Sequence, residues 1–172
     1  MKHPRLSAAL GLLSLACVGS IALHPQKAVA DPQGSFPEGA PHGLCFQGAS
    51  YLTTITDAAT GQFASRGVLT FHADSTLSAI DSGQGGPAFF FTSQLGSWKP
   101  DGEGGLVART IDFNFPPNAA VARLDYTVKF AQDGRQVTGA ITLTTFPLQA
   151  NPLDGGGTVV GRFTLVGSLV TP

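Results

Sequence analysis

The chain has 172 residues, of which 42% are hydrophobic and 12% are charged, and its formal net charge is −1. This length suits one ordinary domain with a single hydrophobic core. The few basic side chains form no cluster or run, which argues against nucleic acid and anionic lipid as partners.

The first 30 residues have the pattern of a secretory signal peptide. Lys2 and Arg5 give it a positive start, and an apolar stretch follows over 6–23. Ala28 and Ala30 form the small-x-small pattern of a cleavage site, so cleavage is expected after Ala30. Its removal would leave seven basic and eleven acidic side chains, a net charge of −4. The sequence therefore predicts a secreted or periplasmic protein with no stable membrane span after signal removal.

Each of the two cysteines has a simple interpretation. Cys17 lies in the apolar part of the signal, where the motif SLAC departs from a lipoprotein signal because Ser14 replaces an aliphatic residue. Lipidation at Cys17 is therefore not expected. Cys45, in GLCFQG, is interpreted as a small buried hydrophobe, with an exposed thiol or an intermolecular bridge as the alternatives. One cysteine cannot form a disulfide framework, so a hydrophobic core must stabilise the domain.

The mature chain divides into a Pro- and Gly-rich flexible lead-in over 31–43 and one domain over 44–172. No window in that domain has the apolar period of a helix. Runs of Thr, Val, Phe and Ile bounded by Gly, Pro and Asp instead predict eight strands. They cover 44–56, 63–72, 75–82, 88–98, 106–115, 121–131, 136–147 and 158–170. The short connections between them predict an antiparallel, up-and-down order.

Apolar and polar residues alternate along the later strands, as expected for half-buried antiparallel strands. We expect the following residues to share the apolar face: Ile111, Phe113 and Phe115; Ala122, Leu124, Tyr126, Val128 and Phe130; Val137, Gly139, Ile141 and Leu143; Val159, Phe163, Leu165 and Leu169. Glycines at 139, 161 and 167 on this face favour sharply bent strands. The predicted fold is all-β, an eight-stranded antiparallel up-and-down barrel, with a two-sheet sandwich as the alternative.

Three short motifs occur in the order that lipocalins use. These are Gly96-Ser97-Trp98, then Leu124-Asp125-Tyr126, then Arg162 in the last predicted strand. The chain resembles lipocalins, within the calycin group, in its architecture. That resemblance implies a barrel that carries one small ligand, and no lipocalin site residue is carried over to this sequence.

The strand number and strand lengths over 44–170 also resemble the allene-oxide-cyclase and dirigent type of barrel. Some of those barrels steer the cyclisation or coupling of an apolar substrate, so the resemblance implies polar groups aimed into the barrel. The acidic strand residues here are Asp112 and Asp125. Alternation predicts that both project from the outer, polar face, and as catalysts they would need the opposite register.

Other candidate sites have simpler interpretations. His72, Asp74 and Ser75 contain the residue types of a hydrolase, but one tight turn cannot easily supply a nucleophile, a base and an oxyanion hole. We interpret Asp74-Ser75 as turn chemistry. His42 and His72 lack metal-ligand spacing, and no Walker-type loop or dinucleotide motif occurs. No metal or cofactor is therefore expected.

The sequence favours a non-catalytic barrel that binds a small apolar ligand, or whose filled core serves as an interaction module. Phe113, Tyr126 and Phe130 are expected to line the ligand site, with Trp98 as a contact at the barrel mouth. A cyclase- or dirigent-like enzyme and an outer-membrane barrel remain alternatives. The outer-membrane alternative requires the apolar face to point outward, whereas two Tyr and one Trp are few for aromatic girdles.

Overall fold

A computed structural model of the chain describes residues 48–84 and 90–172. The predicted signal peptide with Ala28 and Ala30, the lead-in over 31–43, and both cysteines, Cys17 and Cys45, lie outside the described residues. No helix within the described ranges is long and apolar enough to cross a membrane.

The described chain forms eight β-strands that close into a barrel. The strands are β1 (Ala49–Asp57), β2 (Phe63–Phe71), β3 (Thr76–Asp81), β4 (Gln94–Pro100), β5 (Gly105–Asn114), β6 (Ala120–Phe130), β7 (Gln136–Phe146) and β8 (Thr158–Leu169). Each strand pairs antiparallel with the next, and β8 pairs antiparallel with β1. Closure leaves no unpaired sheet edge. The predicted up-and-down barrel is confirmed, and the sandwich alternative is not adopted.

The start of β4 differs most from its prediction among the described residues. The strand begins at Gln94, not at 88, and Phe91 makes only an isolated bridge to Asn114. Phe90 and Phe91 instead lie beside the interior of the barrel at its open end. These aromatic residues have a high strand propensity but line a cavity, because tertiary packing overrides local propensity.

Four aromatic side chains pack together at one end of the barrel, where the β2–β3, β4–β5 and β6–β7 hairpins turn. Rings of Tyr51, Phe71, Phe130 and Trp98 lie with neighbouring centroids between 6.0 and 6.4 Å apart. The Tyr51 hydroxyl donates a hydrogen bond to the Gly134 carbonyl at 2.8 Å. The tilted and edge-to-face arrangements are those that aromatic pairs prefer. This end is packed, and we call it the closed end.

The strand faces agree with prediction in β6 and in most of β7. The inward residues of these strands include Leu124, Val128 and Ile141, which are almost fully buried. Prediction was wrong for β8 near its start, where Val159 is 49% exposed. A bulge causes this difference, since Thr144 pairs with Val159 and Leu143 with Gly161. The skipped Val160 borders the cavity, although it is itself exposed.

The predicted inner face of β5 was also wrong, and the difference places a carboxyl group inside the barrel. Leu106, Ala108, Thr110 and Asp112 point inward, whereas Phe113 lies on the outer face and is 50% exposed. The ladder between β5 and β6 runs from Gly105 to Asn114 without a shift. Because an unbulged strand alternates strictly, the buried Leu106 and Ala108 place Asp112 inside as well.

Candidate functional site

A cavity of about 570 Å³ occupies the end of the barrel opposite to the closed end. This is the end of the barrel at which β1, β3, β5 and β7 finish, and we call it the open end. Most of its wall is apolar, with Leu69, Leu124, Ile141, Leu143 and Phe163 among the lining residues. Ligand sites in proteins typically enclose about 300–1,000 Å³, so this cavity has room for one small molecule.

Three polar side chains form a hydrogen-bonded cluster beside the cavity, and two of them, Gln94 and Tyr126, line its wall. Gln94 is buried and begins β4, while Thr110 and Tyr126 face it from β5 and β6. The Tyr126 hydroxyl donates to Gln94 Oε1 at 2.5 Å, and the Thr110 hydroxyl donates to the same oxygen at 3.2 Å. Burial raises the pKa of the Tyr126 phenol, so the phenol remains protonated and a donor at physiological pH.

Asp112 is the least satisfied polar group of the cavity. Its residue is only 3% exposed, it lines the cavity, and its Oδ1 atom has no hydrogen-bond partner in the described structure. Burial, followed by the negative charge of Asp81, raises the pKa of the Asp112 carboxyl to about 7. A buried carboxyl without a partner is costly to the fold when it ionises. Such a group is characteristic of sites that act on or bind a ligand.

Asp81 lies in the same wall but is held by the protein itself. One carboxylate oxygen accepts a hydrogen bond from the Ser65 hydroxyl at 2.8 Å, and the other accepts one from the Gly83 amide at 2.7 Å. Within the described parts of the chain, the cavity lining contains two carboxyls and a phenol but no Lys, Arg or His. Among the described residues, the interior is therefore acidic and without a basic counter-charge.

The structure separates the four residues that were expected to contact a ligand. Tyr126 lines the cavity. Phe113 lies on the outer face, so the expected interior position was wrong. Phe130 and Trp98 pack in the aromatic cluster at the closed end, where the Trp98 indole donates to the His72 carbonyl at 3.0 Å. Trp98 is therefore far from the open mouth at which a contact was expected.

The two acidic strand residues have opposite positions. Asp125 lies on the outer face as predicted, where its carboxylate contacts Arg109 Nε at 2.6 Å and Arg123 Nε at 2.9 Å. Asp112 was predicted to lie on that face too, and this was wrong. The sequence did contain a signal for its true position. Arg109 and Asp112 are three residues apart in one strand, so they cannot both face outward.

The sequence also did not identify Gln94, Thr110 and Asp81 as parts of a site. Gln94 and Asp81 begin and end strands next to a Gly-rich connection, where alternation is hard to assign. Thr110 is polar and was assigned to the outer face with Asp112. Their convergence depends on pairing between β3, β4, β5 and β6, which a single strand pattern does not specify.

The turn around Asp74 has the interpretation that the sequence favoured. Asp74 Oδ1 accepts hydrogen bonds from the Thr76 amide at 2.9 Å and the Thr76 hydroxyl at 2.6 Å. His72 Nε2 lies 3.1 Å from the Ser78 hydroxyl. In the part of the chain that the structure describes, no three His, Cys, Asp or Glu residues are grouped as a metal site would require.

Comparison with known proteins gave no match. No protein-family model, curated protein or solved structure is significantly similar to this chain. The closed barrel and its acidic cavity are therefore the observations from which a function can be inferred.

Proposed function

We propose that this protein is a secreted or periplasmic, non-catalytic barrel that binds one small, mainly apolar ligand at its open end. The observation that carries the proposal is the cavity of about 570 Å³, which is lined by apolar side chains and a few convergent polar groups. This combination is the usual composition of a small-molecule site. The proposal agrees with the lipocalin-like architecture, since an eight-stranded barrel can hold one small ligand.

The orientation of the strands supports this proposal over an outer-membrane barrel. Apolar residues such as Leu69, Val128 and Leu165 face the interior and are almost fully buried, while Arg109 and Asp125 lie on the outer face. A barrel surrounded by lipid would place its apolar band outward. The cavity also argues against the filled-core alternative, because the aromatic packing of the closed end does not extend through the whole interior.

Native mass spectrometry tests the proposal directly. The full chain would be expressed with its N-terminal segment in a secreting host close to its own source and purified without detergent. We expect a bound mass of a small molecule that disappears on denaturation, together with an N-terminus at Asp31 if the signal is cleaved as predicted. A protein that remains free of ligand, and that binds no member of a panel of small apolar compounds, would contradict the proposal.

A second candidate function is a cyclase- or dirigent-like enzyme that acts on an apolar substrate. The observation that favours it is the inward position of Asp112, which the sequence had placed outside. A carboxyl with its pKa near 7 is suited to donate or accept a proton at neutral pH. Tyr126 and Gln94 would then position a polar group of the substrate.

The enzyme alternative makes a prediction about two carboxylates. If the protein catalyses cyclisation or isomerisation of an apolar substrate found in a screen, Asp112→Asn should reduce turnover by about 100-fold or more, because general acid–base groups contribute about 10²–10⁴-fold. Asp125→Asn, on the outer face, serves as the matched control and should leave turnover unchanged. Equal turnover by all three proteins, measured with substrate in excess, would exclude Asp112 as the acid–base group.

A further inference from the structure

We propose that the ligand of this cavity is a lipophilic amine, whose ammonium group pairs with Asp112 while its hydrocarbon body occupies the apolar wall. This inference rests on the proposed ligand-binding function and specifies the chemical class of the ligand. It begins from Asp112 Oδ1, which is buried in the cavity wall and has no hydrogen-bond partner in the described structure.

Several other polar groups of the cavity already have partners. Gln94 Oε1 receives hydrogen bonds from Tyr126 and Thr110, and both oxygens of Asp81 are held by Ser65 and Gly83. A ligand donor therefore gains most at Asp112, where it would satisfy an acceptor that is otherwise unpaired. A buried acceptor without a partner is costly, and pairing it recovers that cost.

Charge decides between a neutral and a cationic donor. In the part of the chain that the structure describes, the titratable groups that face Asp112 are Asp81 from β3 and Tyr126 from β6, while the faces that β1, β2, β4, β7 and β8 present to the cavity carry no titratable side chain. A ligand carboxylate would be repelled by two carboxyls, and a neutral ligand would leave an ionised Asp112 uncompensated. An ammonium group compensates the charge and donates a hydrogen bond at the same time.

The apolar wall determines the rest of the ligand. Leu124, Ile141, Leu143 and Phe163 line the cavity, and Phe90 and Phe115 are exposed at its mouth. A strongly hydrated small cation would lose its water shell against this surface without gaining contacts. A cation with an alkyl or aromatic body gains both the ion pair and the burial of its hydrocarbon.

A set of three ligands with the same number of carbon atoms tests the inference. Octylamine and octan-1-ol have the same alkyl chain and differ only in their head group, and octanoate carries a negative charge at the same carbon count, so isothermal titration calorimetry with the full secreted protein isolates the effect of charge. At pH 8 we expect octylamine to bind about tenfold or more tightly than octan-1-ol, which is the usual strength of a hydrogen bond to a charged group. Octanoate should bind more weakly than the alcohol.

Variants and pH separate Asp112 from general surface attraction. Asp112→Asn should remove the preference for octylamine and change octan-1-ol affinity by about twofold or less, while the outer-face control Asp125→Asn should bind all three ligands like the wild type. The pKa of Asp112 near 7 adds a test on the wild-type protein alone. Octylamine affinity should fall by about tenfold or more between pH 8 and pH 5.5, because protonation of Asp112 removes its charge.

The outcomes distinguish this inference from the proposed function. If octan-1-ol binds but octylamine binds no more tightly, or if Asp112→Asn retains the amine preference, the amine inference is wrong and the ligand-binding function stands. If amine affinity is weak and octan-1-ol binds best at pH 5.5, a protonated Asp112 donates to a neutral ligand, and the inference is again wrong. If none of the three ligands binds, the amine inference is wrong, and native mass spectrometry with the panel of small apolar compounds decides whether the proposed function fails too.

Discussion

Gly96→Ala is expected to destabilise the barrel by about 3 kcal/mol, the upper part of the range for overpacking a well-packed interior. A Cβ atom at position 96 would lie 1.8 Å from the carbonyl oxygen of Arg109 and 2.7 Å from the Cα atom of Thr110. Both obstacles belong to the backbone of β5, which pairs with β4 at this point. The clash therefore cannot be relieved by a change of rotamer, and the two strands must separate.

Urea unfolding and thermal melting would measure this effect. A loss of about 3 kcal/mol corresponds to a fall in Tm of roughly 6–12 °C for a chain of this size. Ser97→Ala is the matched control, because Ser97 is the next residue of β4 and points outward into solvent. It should change stability by about 0.5 kcal/mol or less. If Gly96→Ala melts with the wild type, β4 and β5 are not as closely spaced as the structure shows.

Gly96 also explains why the motif around Trp98 resembles one from another barrel family. On β4, Gln94, Gly96 and Trp98 share the inner face, so they lie at the cavity, at the close crossing of β4 with β5 and at the closed end, respectively. In a narrow barrel, a glycine allows the close approach and a large aromatic residue fills the end beyond it. A short Gly-x-Trp match can therefore arise from the packing needs of a small barrel.

The fold could be predicted because its signals are local. Turn residues and alternating runs specify where strands begin and end, and the short connections require antiparallel neighbours. Closure needs only that the last strand reach the first, as β8 does when Leu165 pairs with Ile55. The strand prediction was least accurate in the Gly-rich connection before Gln94. Aromatic residues of high strand propensity there line a cavity instead of extending β4.

The candidate site was harder to predict because strand faces are assigned by the rule that apolar residues point inward, and polar residues point inward at this site. Hydropathy predicts an inward apolar face along the whole of β5, with Phe113 inside and Asp112 outside. In the structure the inner face of β5 changes from Leu106 and Ala108 near the closed end to Thr110 and Asp112 near the cavity. A binding site is where a barrel departs from the apolar-inside rule, so strict alternation is a better guide there than hydropathy.

Asp112→Asn is expected to change how the stability of the protein depends on pH, by about 4 kcal/mol between pH 4 and pH 8. The pKa of Asp112 is near 7 in the folded protein, against about 3.9 for an ordinary unfolded aspartate. Between these values the folded state holds a proton that the unfolded state has lost. The stabilisation is therefore complete below about pH 4, declines as the pH rises and is lost above about pH 7. The asparagine side chain does not titrate, so the Asp112→Asn variant lacks this pH-dependent contribution.

Urea unfolding of both proteins at intervals between pH 4 and pH 8 would measure this difference. Other carboxyls also titrate, among them Asp101, whose pKa the Lys129 ammonium group and nearby backbone amides lower to about 2. Carboxyls that do not interact with Asp112 act equally in both proteins, so subtracting one curve from the other leaves the contribution of Asp112 and of its coupling to Asp81. The free energy of unfolding of Asp112→Asn, relative to that of the wild type, should rise steadily up to about pH 7. The relative free energy of unfolding of Asp125→Asn should show no such rise. Parallel curves for wild type and Asp112→Asn would mean that burial does not raise the pKa of Asp112 and that this carboxyl is already ionised at weakly acidic pH.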